Sequence, residues 1–201
     1  MLNPPPHWRT FHAVPLATVG VDPGDLFRIS RHRTGEPYFG KSGGSRFDDP
    51  TKAAGKRYGT CYFGFSVACA FAETVLHDAV PVKGRFPLAI SEIESRYVLE
   101  FTGQPLILAD FTGEALMCSG ATSEISTISP YDLPQLWSRA VHDHPDQVDG
   151  ILYQSNRLNT ESAVVLFDRA APKLTLRNDP PLLLDYLGAL RVVMRFRVDF
   201  K

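Results

Sequence analysis

The sequence predicts an α+β fold with a mixed, largely antiparallel β-sheet and flanking helices. Short apolar segments rich in β-branched and aromatic residues, typical of strands, outnumber the segments with helical periodicity. The predicted helices do not alternate regularly with the strands, which argues against a doubly wound parallel sheet. A hydrophobic content of 44% over 201 residues is enough for one packed core.

The N-terminal residues 1–20 are expected to form an irregular arm, followed by a single domain over residues 21–201. Proline lacks a backbone N–H and resists helix formation. Four prolines lie in the arm, at Pro4, Pro5, Pro6 and Pro15. The arm also lacks the basic and apolar segments of a signal peptide, and no apolar run approaches the ~20 residues of a membrane-spanning helix. We therefore expect a cytoplasmic protein without a membrane partner.

Charge and cysteine content narrow the classes of ligand. Lys and Arg total 21 against 22 for Asp and Glu, so the net charge of -1 provides no broad positive surface for a nucleic-acid backbone. We expect no direct contact with nucleic acid, and any anionic ligand must be held locally. Cys61, Cys69 and Cys118 form no C-x-x-C pair and lie in apolar segments, which indicates a reducing compartment and no metal site.

The domain is predicted to begin with a strand, a long loop, a second strand and a helix. The first strand covers residues 26–29. The loop over 31–58 is rich in Gly, Pro, Asp and basic residues, and a loop of this length is uncommon unless it is functional. Residues 59–65, aromatic and small, predict the second strand, and Ser66 is placed to cap a helix over 67–79.

The remaining elements are assigned from apolar periodicity and turn residues. Strands are predicted at 87–93, 96–101, 105–109, 149–154, 162–168, 173–177 and 192–200. Helices are predicted at 112–118, at 131–143 after Ser129-Pro130, and near 180–190.

The segment Gly35 to Ser42 satisfies the phosphate-binding pattern G-x-x-x-x-G-K-S. A working P-loop needs a helix that begins at the Lys-Ser pair and points its N-terminus at the phosphates. Here Gly43-Gly44-Ser45 follows, which does not favour a helix start. An NTP-binding protein that uses Lys41 and Ser42 is therefore the less favoured alternative.

Glu73 is the first candidate for chemistry, because it lies in a predicted helix that is apolar on nearly all sides. A carboxylate there needs partners. It is either part of a site, part of a structural ion pair, or on a narrow polar edge shared with His77. Ser155 ends the predicted strand 149–154, where its hydroxyl is either a site residue or an ordinary turn residue.

Basic and aromatic residues upstream of this helix suggest an anion site. Arg28 ends a predicted strand, Arg31 follows it, and Arg46 lies in the Gly-rich loop. Guanidinium groups donate paired hydrogen bonds that suit a pyrophosphate. Tyr58 and Tyr62 bracket the second strand, where their rings either stack on a nicotinamide or adenine ring or pack in the core.

Five short motifs in order resemble the RES domain family, over residues 25–168. They are Leu26-Phe27-Arg28, Gly44-Ser45-Arg46-Phe47, Gly55-x-x-Tyr58-Gly59-Thr60-x-Tyr62, Ala70-Phe71-Ala72-Glu73 and Asp149-Gly150-Ile151-Leu152-Tyr153-x-Ser155. The chain departs from the family pattern in its Pro-rich arm and at Asp48-Asp49, where the family more often has Asn.

The resemblance implies an NAD-consuming toxin of a bacterial toxin–antitoxin pair, with a split sheet related to that of ADP-ribosyltransferases. NAD would be the substrate, inorganic phosphate a candidate co-substrate, and no cofactor is expected. Expected partners are an Xre-type antitoxin with a helix-turn-helix and a second copy of the chain as a homodimer. The implied catalytic residues are Arg28, Glu73 and Ser155. The implied substrate-binding residues are Arg31, Arg46, Tyr58 and Tyr62.

The expected reaction is cleavage of the nicotinamide–ribose bond, by an NAD glycohydrolase or an NAD phosphorylase. Positive charge builds on the sugar as the bond breaks, so an ionised Glu73 beside the ribose would stabilise the transition state. Nicotinamide leaves as a neutral molecule, so one carboxylate suffices where ordinary glycosidases need two. An ADP-ribosyltransferase that modifies a macromolecule is the alternative, since the same bond breaks in both reactions.

Overall fold

Ten β-strands and six α-helices, joined by loops and 3-10 turns, make up the chain, and the computed structural model describes all of residues 1–201. The strands are Thr18–Val21 (β1), Phe27–Ser30 (β2), Thr60–Gly64 (β3), Phe86–Leu88 (β4), Tyr97–Gly103 (β5), Leu106–Phe111 (β6), Gly150–Gln154 (β7), Ser162–Phe167 (β8), Leu174–Leu176 (β9) and Val198–Phe200 (β10). The helices are Trp8–Phe11 (α1), Val67–Thr74 (α2), Ser91–Glu94 (α3), Gly113–Ser119 (α4), Asp132–His142 (α5) and Ala189–Arg195 (α6).

Eight strands form one sheet in the order β1-β6-β7-β8-β3-β2-β5-β9. All neighbours in it are antiparallel except β6 and β7. A second, two-stranded sheet pairs β10 with β4 in parallel. The α+β class and the mixed, largely antiparallel sheet are therefore confirmed.

The large sheet is split between β2 and β3. These strands share a single paired position, Phe27 opposite Gly64. On its other side β3 pairs with β8 over five positions, and β2 pairs with β5 over four. The hydrogen-bond ladder is therefore continuous on both sides of this junction, and the strands separate at the junction itself. This is the split sheet that the resemblance implied.

Strand β8 lies at the centre of the core, and its residues from Ala163 to Phe167 are fully buried. Ala163, Val165 and Phe167 face one apolar cluster, while Val164 and Leu166 face another. Because both faces of the strand are covered, its sequence is continuously apolar instead of alternating. This run fixes the centre of the sheet beside the split.

Helix α2 lies directly against the end of β3. Ser66 caps the helix, with its hydroxyl accepting a hydrogen bond from the Cys69 N–H at 3.0 Å. A Cβ at Gly64 would lie 2.7 Å from the backbone nitrogen of Ala70 and 2.8 Å from the Cβ of Cys69. Glycine at this position therefore allows the helix backbone to approach the strand, and this approach sets the position of the helix.

The segment expected to be an irregular arm contains the short helix α1 and most of β1, which pairs with β6. The prediction did not include these two elements, while residues 1–7 and 12–17 lie outside any helix or strand. Leu2 and Phe11 are buried in the core, and the Trp137 indole N–H donates to the carbonyl of Asn3 at 2.8 Å. The prolines lie between the two elements or before them, so they do not interrupt either hydrogen-bond pattern.

Four further element predictions need correction. The helix predicted over 67–79 ends at Thr74. The strand predicted over 87–93 is a three-residue strand, β4, followed by the helical turn α3. The helix and strand predicted near 180–190 and over 192–200 are replaced by α6 and the short β10. Short apolar runs satisfy both helix and strand patterns, which explains the errors at 87–93 and 192–200.

The longest helix, α5, has 11 residues, and no helix of the chain has the length and apolar character needed to cross a bilayer.

Replacing Gly64 with alanine should push α2 away from β3, because the new methyl group would overlap the helix backbone. We expect the free energy of unfolding to fall by about 1–3 kcal/mol, measured by urea denaturation. Gly20→Ala is the matched control, since a Cβ there meets nothing within 4 Å in another strand of the same sheet. Equal stability of the two variants would contradict the close contact between α2 and β3.

Candidate active site

A cleft of about 440 Å³ opens where the sheet splits. Residues from β2, β3, α2, β7 and the loop before β3 line it, together with the residue before α5. The charged and aromatic side chains in it include Arg28, Arg46, Glu73, Tyr62, Tyr131 and Tyr153. Four of the residues predicted for the site therefore line one cleft: Arg28, Arg46, Tyr62 and Glu73.

Ser155 does not line the cleft, but it holds the carboxylate that does. Its hydroxyl donates a hydrogen bond to Glu73 Oε1 and accepts one from the Leu158 N–H at 2.9 Å. The Arg157 N–H also donates to Glu73 Oε1, at 3.1 Å. The other carboxylate oxygen, Oε2, accepts no hydrogen bond from the protein. Glu73 therefore has one oxygen fixed by the turn after β7 and one oxygen free for a ligand.

Arg157 fastens the same turn to the end of α2. Its guanidinium donates through Nη2 to the carbonyls of Leu76 and Ala79, at 2.6 and 2.9 Å. These carbonyls follow the C-terminus of the helix, where a cation is favoured. Sequence reasoning missed Arg157, although a basic residue two positions after Ser155 was visible.

Arg28 bridges the split in the sheet. Its Nη1 donates to the Tyr62 carbonyl at 3.2 Å, where β2 and β3 no longer pair with each other. Its Nε donates to Glu36 Oε2 at 3.0 Å. Burial alone would lower the pKa of Arg28, but Cys61 and Glu36 favour the charged form and the net effect raises it. The side chain is 21% exposed, so part of this fixed positive charge is open to the cleft.

Arg46 lines the same cleft from the loop before β3. Its Nη1 donates to the Ile128 carbonyl at 2.7 Å, and its guanidinium carbon lies 4.5 Å from the ring centroid of Tyr131. The stacked ring and the single carbonyl bond leave most of the guanidinium donors unused.

The Tyr62 hydroxyl anchors the loop that carries Arg46. It accepts a hydrogen bond from the Phe47 N–H at 3.0 Å and donates to Asp48 Oδ1 at 3.2 Å. Burial raises the pKa of Tyr62 well above its ordinary value, so the hydroxyl is neutral and can act in both roles. Asp48, 3% exposed, also accepts from Ser42, Ser45 and Thr60. Asp48 is thus a buried carboxylate that organises the loop.

Two predicted substrate-binding residues do not reach the cleft. Tyr58 is buried, with its hydroxyl 2.9 Å from Ser138 Oγ and its ring stacked on His142 at 4.0 Å between centroids. Arg31 lies on the surface and pairs with Glu92 at 2.7 Å. The interpretation of Tyr58 as a core residue is therefore correct. Arg31 is not part of the group of basic residues at the cleft.

The P-loop pattern does not have the structure of a P-loop. Lys41 Nζ lies 3.3 Å from Asp168 Oδ2, and the Ser42 hydroxyl donates to Asp48 Oδ2 at 3.0 Å. No helix begins at these residues. The NTP-binding alternative is therefore wrong in its structural premise.

Several cleft residues were not predicted from the sequence. His77, one turn after Glu73 on the chain, and Asp78 lie at the rim. Tyr153 lies on β7, one residue before the strand ends at Gln154. Tyr131 packs against Arg46 but lies 85 residues after it in the chain. No local sequence pattern therefore connects the two residues.

Comparisons with known proteins give three findings. The family model for the RES domain matches residues 25–186. The probable toxin y4kH of Sinorhizobium fredii (strain NBRC 101917 / NGR234) is 38% identical over 106 residues, which are 52% of this chain and 83% of that protein. A chain in the crystal structure of the M. tuberculosis MbcT–MbcA toxin–antitoxin complex is similar with a TM-score of 0.61 and 12% identity, over 94% of this chain and 96% of that chain. This last likeness supports the fold alone.

Tyr62→Phe should loosen the loop that carries Arg46, because it leaves the Phe47 N–H unpaired and removes one donor from the buried Asp48 carboxylate. We expect a loss of about 1–3 kcal/mol in the free energy of unfolding and faster amide hydrogen exchange at residues 44–48. Tyr97→Phe provides the comparison, since its hydroxyl bonds no protein group. Unchanged exchange in the loop would show that the Tyr62 hydroxyl does not anchor it.

Proposed function

The chain belongs to the RES domain family, and we propose that it cleaves the nicotinamide–ribose bond of NAD as the toxin of a toxin–antitoxin pair. The toxin assignment is supported by the relative named as a probable toxin, 83% of which this chain covers at 38% identity. The NAD reaction is supported by the chemistry of the cleft.

The arrangement of Glu73 carries the proposal. Two donors from the turn after β7 fix Oε1, so the carboxylate cannot rotate away, while Oε2 is free to face a substrate. As the bond to the pyridinium ring breaks, positive charge develops on the ribose. A preoriented carboxylate stabilises that charge more in the transition state than in the ground state, which is the condition for faster chemistry. Nicotinamide leaves neutral and needs no general acid.

The two arginines of the cleft suit the pyrophosphate of NAD. Arg28 lies on β2 and Arg46 in the loop before β3, and each has donors that the protein does not use. Guanidinium groups donate bidentate hydrogen bonds to phosphate oxygens. The Tyr62 and Tyr131 rings border the same space and offer flat surfaces for the nicotinamide or the adenine.

In this proposal the acceptor of the ADP-ribose is water or inorganic phosphate. Both attack the same cationic sugar, and neither needs a metal or a further cofactor. The alternative of transfer to a macromolecule breaks the same bond, so it differs in the fate of the ADP-ribose.

We also propose that an antitoxin protein with an Xre-type helix-turn-helix binds this chain. The support is the likeness of fold to a chain of the MbcT–MbcA toxin–antitoxin complex. A homodimer, the other partner predicted from the resemblance, stays a prediction that size measurement by light scattering can test.

Glu73→Gln should abolish NAD cleavage while leaving the fold intact. The amide oxygen can still accept from Ser155 and Arg157, but the negative charge is gone. We expect kcat to fall by roughly 10²–10³-fold, measured by nicotinamide release, with an unchanged melting temperature. Glu114→Gln, an exposed change on α4, is the matched control. Normal turnover in Glu73→Gln would remove this carboxylate from the mechanism.

Mass analysis of the products made from NAD separates the three acceptors. We expect free nicotinamide together with ADP-ribose when water is the acceptor, or ADP-ribose carrying an added phosphate when inorganic phosphate is supplied. Parallel reactions with and without phosphate, each with the Glu73→Gln protein as the blank, provide the measurement. Label from the adenine of NAD that stays attached to protein or nucleic acid would contradict the proposed reaction and favour the transferase.

A further inference from the structure

We propose that the Tyr153 hydroxyl binds substrate in the cleft, by donating a hydrogen bond to the 2′- or 3′-hydroxyl of the ribose that carries the scissile bond. The inference rests on the proposed function, because the ribose is the partner only if NAD is the substrate. It adds a substrate-contacting group that the sequence did not single out.

The Tyr153 hydroxyl is a polar group without a partner in the protein. The residue is 5% exposed and lines the cleft. Its hydroxyl makes no hydrogen bond within the chain, whereas the hydroxyls of Tyr58 and Tyr62 are both bonded. Thr122 Oγ1 is the one fully buried side-chain polar atom that lacks a partner, so the Tyr153 oxygen still reaches solvent. With the rest of the side chain buried, that contact lies in the cleft.

The position of this hydroxyl is fixed by packing. The Tyr153 ring contacts the fully buried Phe47 ring, with 4.7 Å between centroids. Phe111 occupies the paired position on β6. On the other side the paired positions hold small residues, Ala163 on β8 and then Gly64 on β3. The small residues leave room in front of Tyr153, and the large ones prevent its ring from turning away.

The charges of Glu73 and Arg46 both affect the pKa of this hydroxyl. Burial raises the pKa of Tyr153 well above its ordinary value, Glu73 raises it further and Arg46 lowers it. The hydroxyl is therefore a neutral donor, and it lines the same cleft as the Glu73 carboxylate and the Arg46 guanidinium. In NAD the ribose of the scissile bond lies between the nicotinamide and the pyrophosphate, so a ribose oxygen is the group that fits this position.

A ligand that fills the cleft displaces the water around this hydroxyl. A buried hydroxyl without a partner is unfavourable, so a good substrate must supply an acceptor there. An apolar ligand surface would leave the hydroxyl unpaired. Tyr153 would therefore discriminate against such ligands as well as bind the substrate.

Tyr153→Phe tests the inference, because it retains the ring and removes only the oxygen. We expect kcat/KM for NAD to fall roughly 5- to 50-fold, with an unchanged melting temperature, since no protein hydrogen bond is lost. Tyr38→Phe is the control, because its hydroxyl also lacks a protein partner but lies on an exposed loop outside the cleft. A structural role would instead lower the melting temperature.

NAD analogues that lack either the 2′- or the 3′-hydroxyl of the nicotinamide ribose locate the partner. For one of them, wild type and Tyr153→Phe should have equal kcat/KM, because the acceptor is already absent. Wild-type turnover of NAD by Tyr153→Phe would overturn the inference, and so would a loss that persists with both analogues. Failure of the wild-type protein to cleave NAD would instead overturn the proposed function, and the ribose assignment with it.

Discussion

The hydrogen bonds that hold one oxygen of Glu73 are the constraint on which the site depends. They join the last turn of α2 to the turn between β7 and β8, two segments that are 82 residues apart in the chain. The helix can make this contact because Gly64 lets its backbone lie against β3. Arg157 adds a second connection between the same two segments. A shift of either segment would therefore move the carboxylate relative to the arginines.

The split in the sheet provides the space that this carboxylate faces. Paired strands leave no room for a ligand between them, so a cleft within a sheet requires the ladder to stop. Arg28 compensates the lost pairing by donating to the carbonyl of Tyr62. The chain thus uses a charged side chain where a backbone donor would normally lie. A nearly neutral protein obtains a local positive site in this way, without any broad basic surface.

The sequence was sufficient to predict features that depend on a single local segment of the chain. The strand, cap and helix around Ser66 follow from local preferences, and so does the polar position of Glu73 in an apolar helix. It was insufficient where the partner lies far along the chain. Arg46 rests on Tyr131, and Tyr62 is bonded to Asp48, contacts that depend on how distant segments fold together. Tyr58 shows the limit of composition, since an aromatic residue beside a site has the same sequence signal as one in the core.

The pairing of Arg28 with Glu36 makes the stability of the fold depend on Arg28. Glu36 is 1% exposed, and this arginine is its counter-ion. Loss of the arginine would leave a buried carboxylate uncompensated at a cost of roughly 3–5 kcal/mol, a large share of the stability of an ordinary domain. A variant without Arg28 would therefore have a larger unfolded fraction, which cells remove by proteolysis. A variant that is inactive but keeps its fold and surface must therefore arise from a change elsewhere in the cleft.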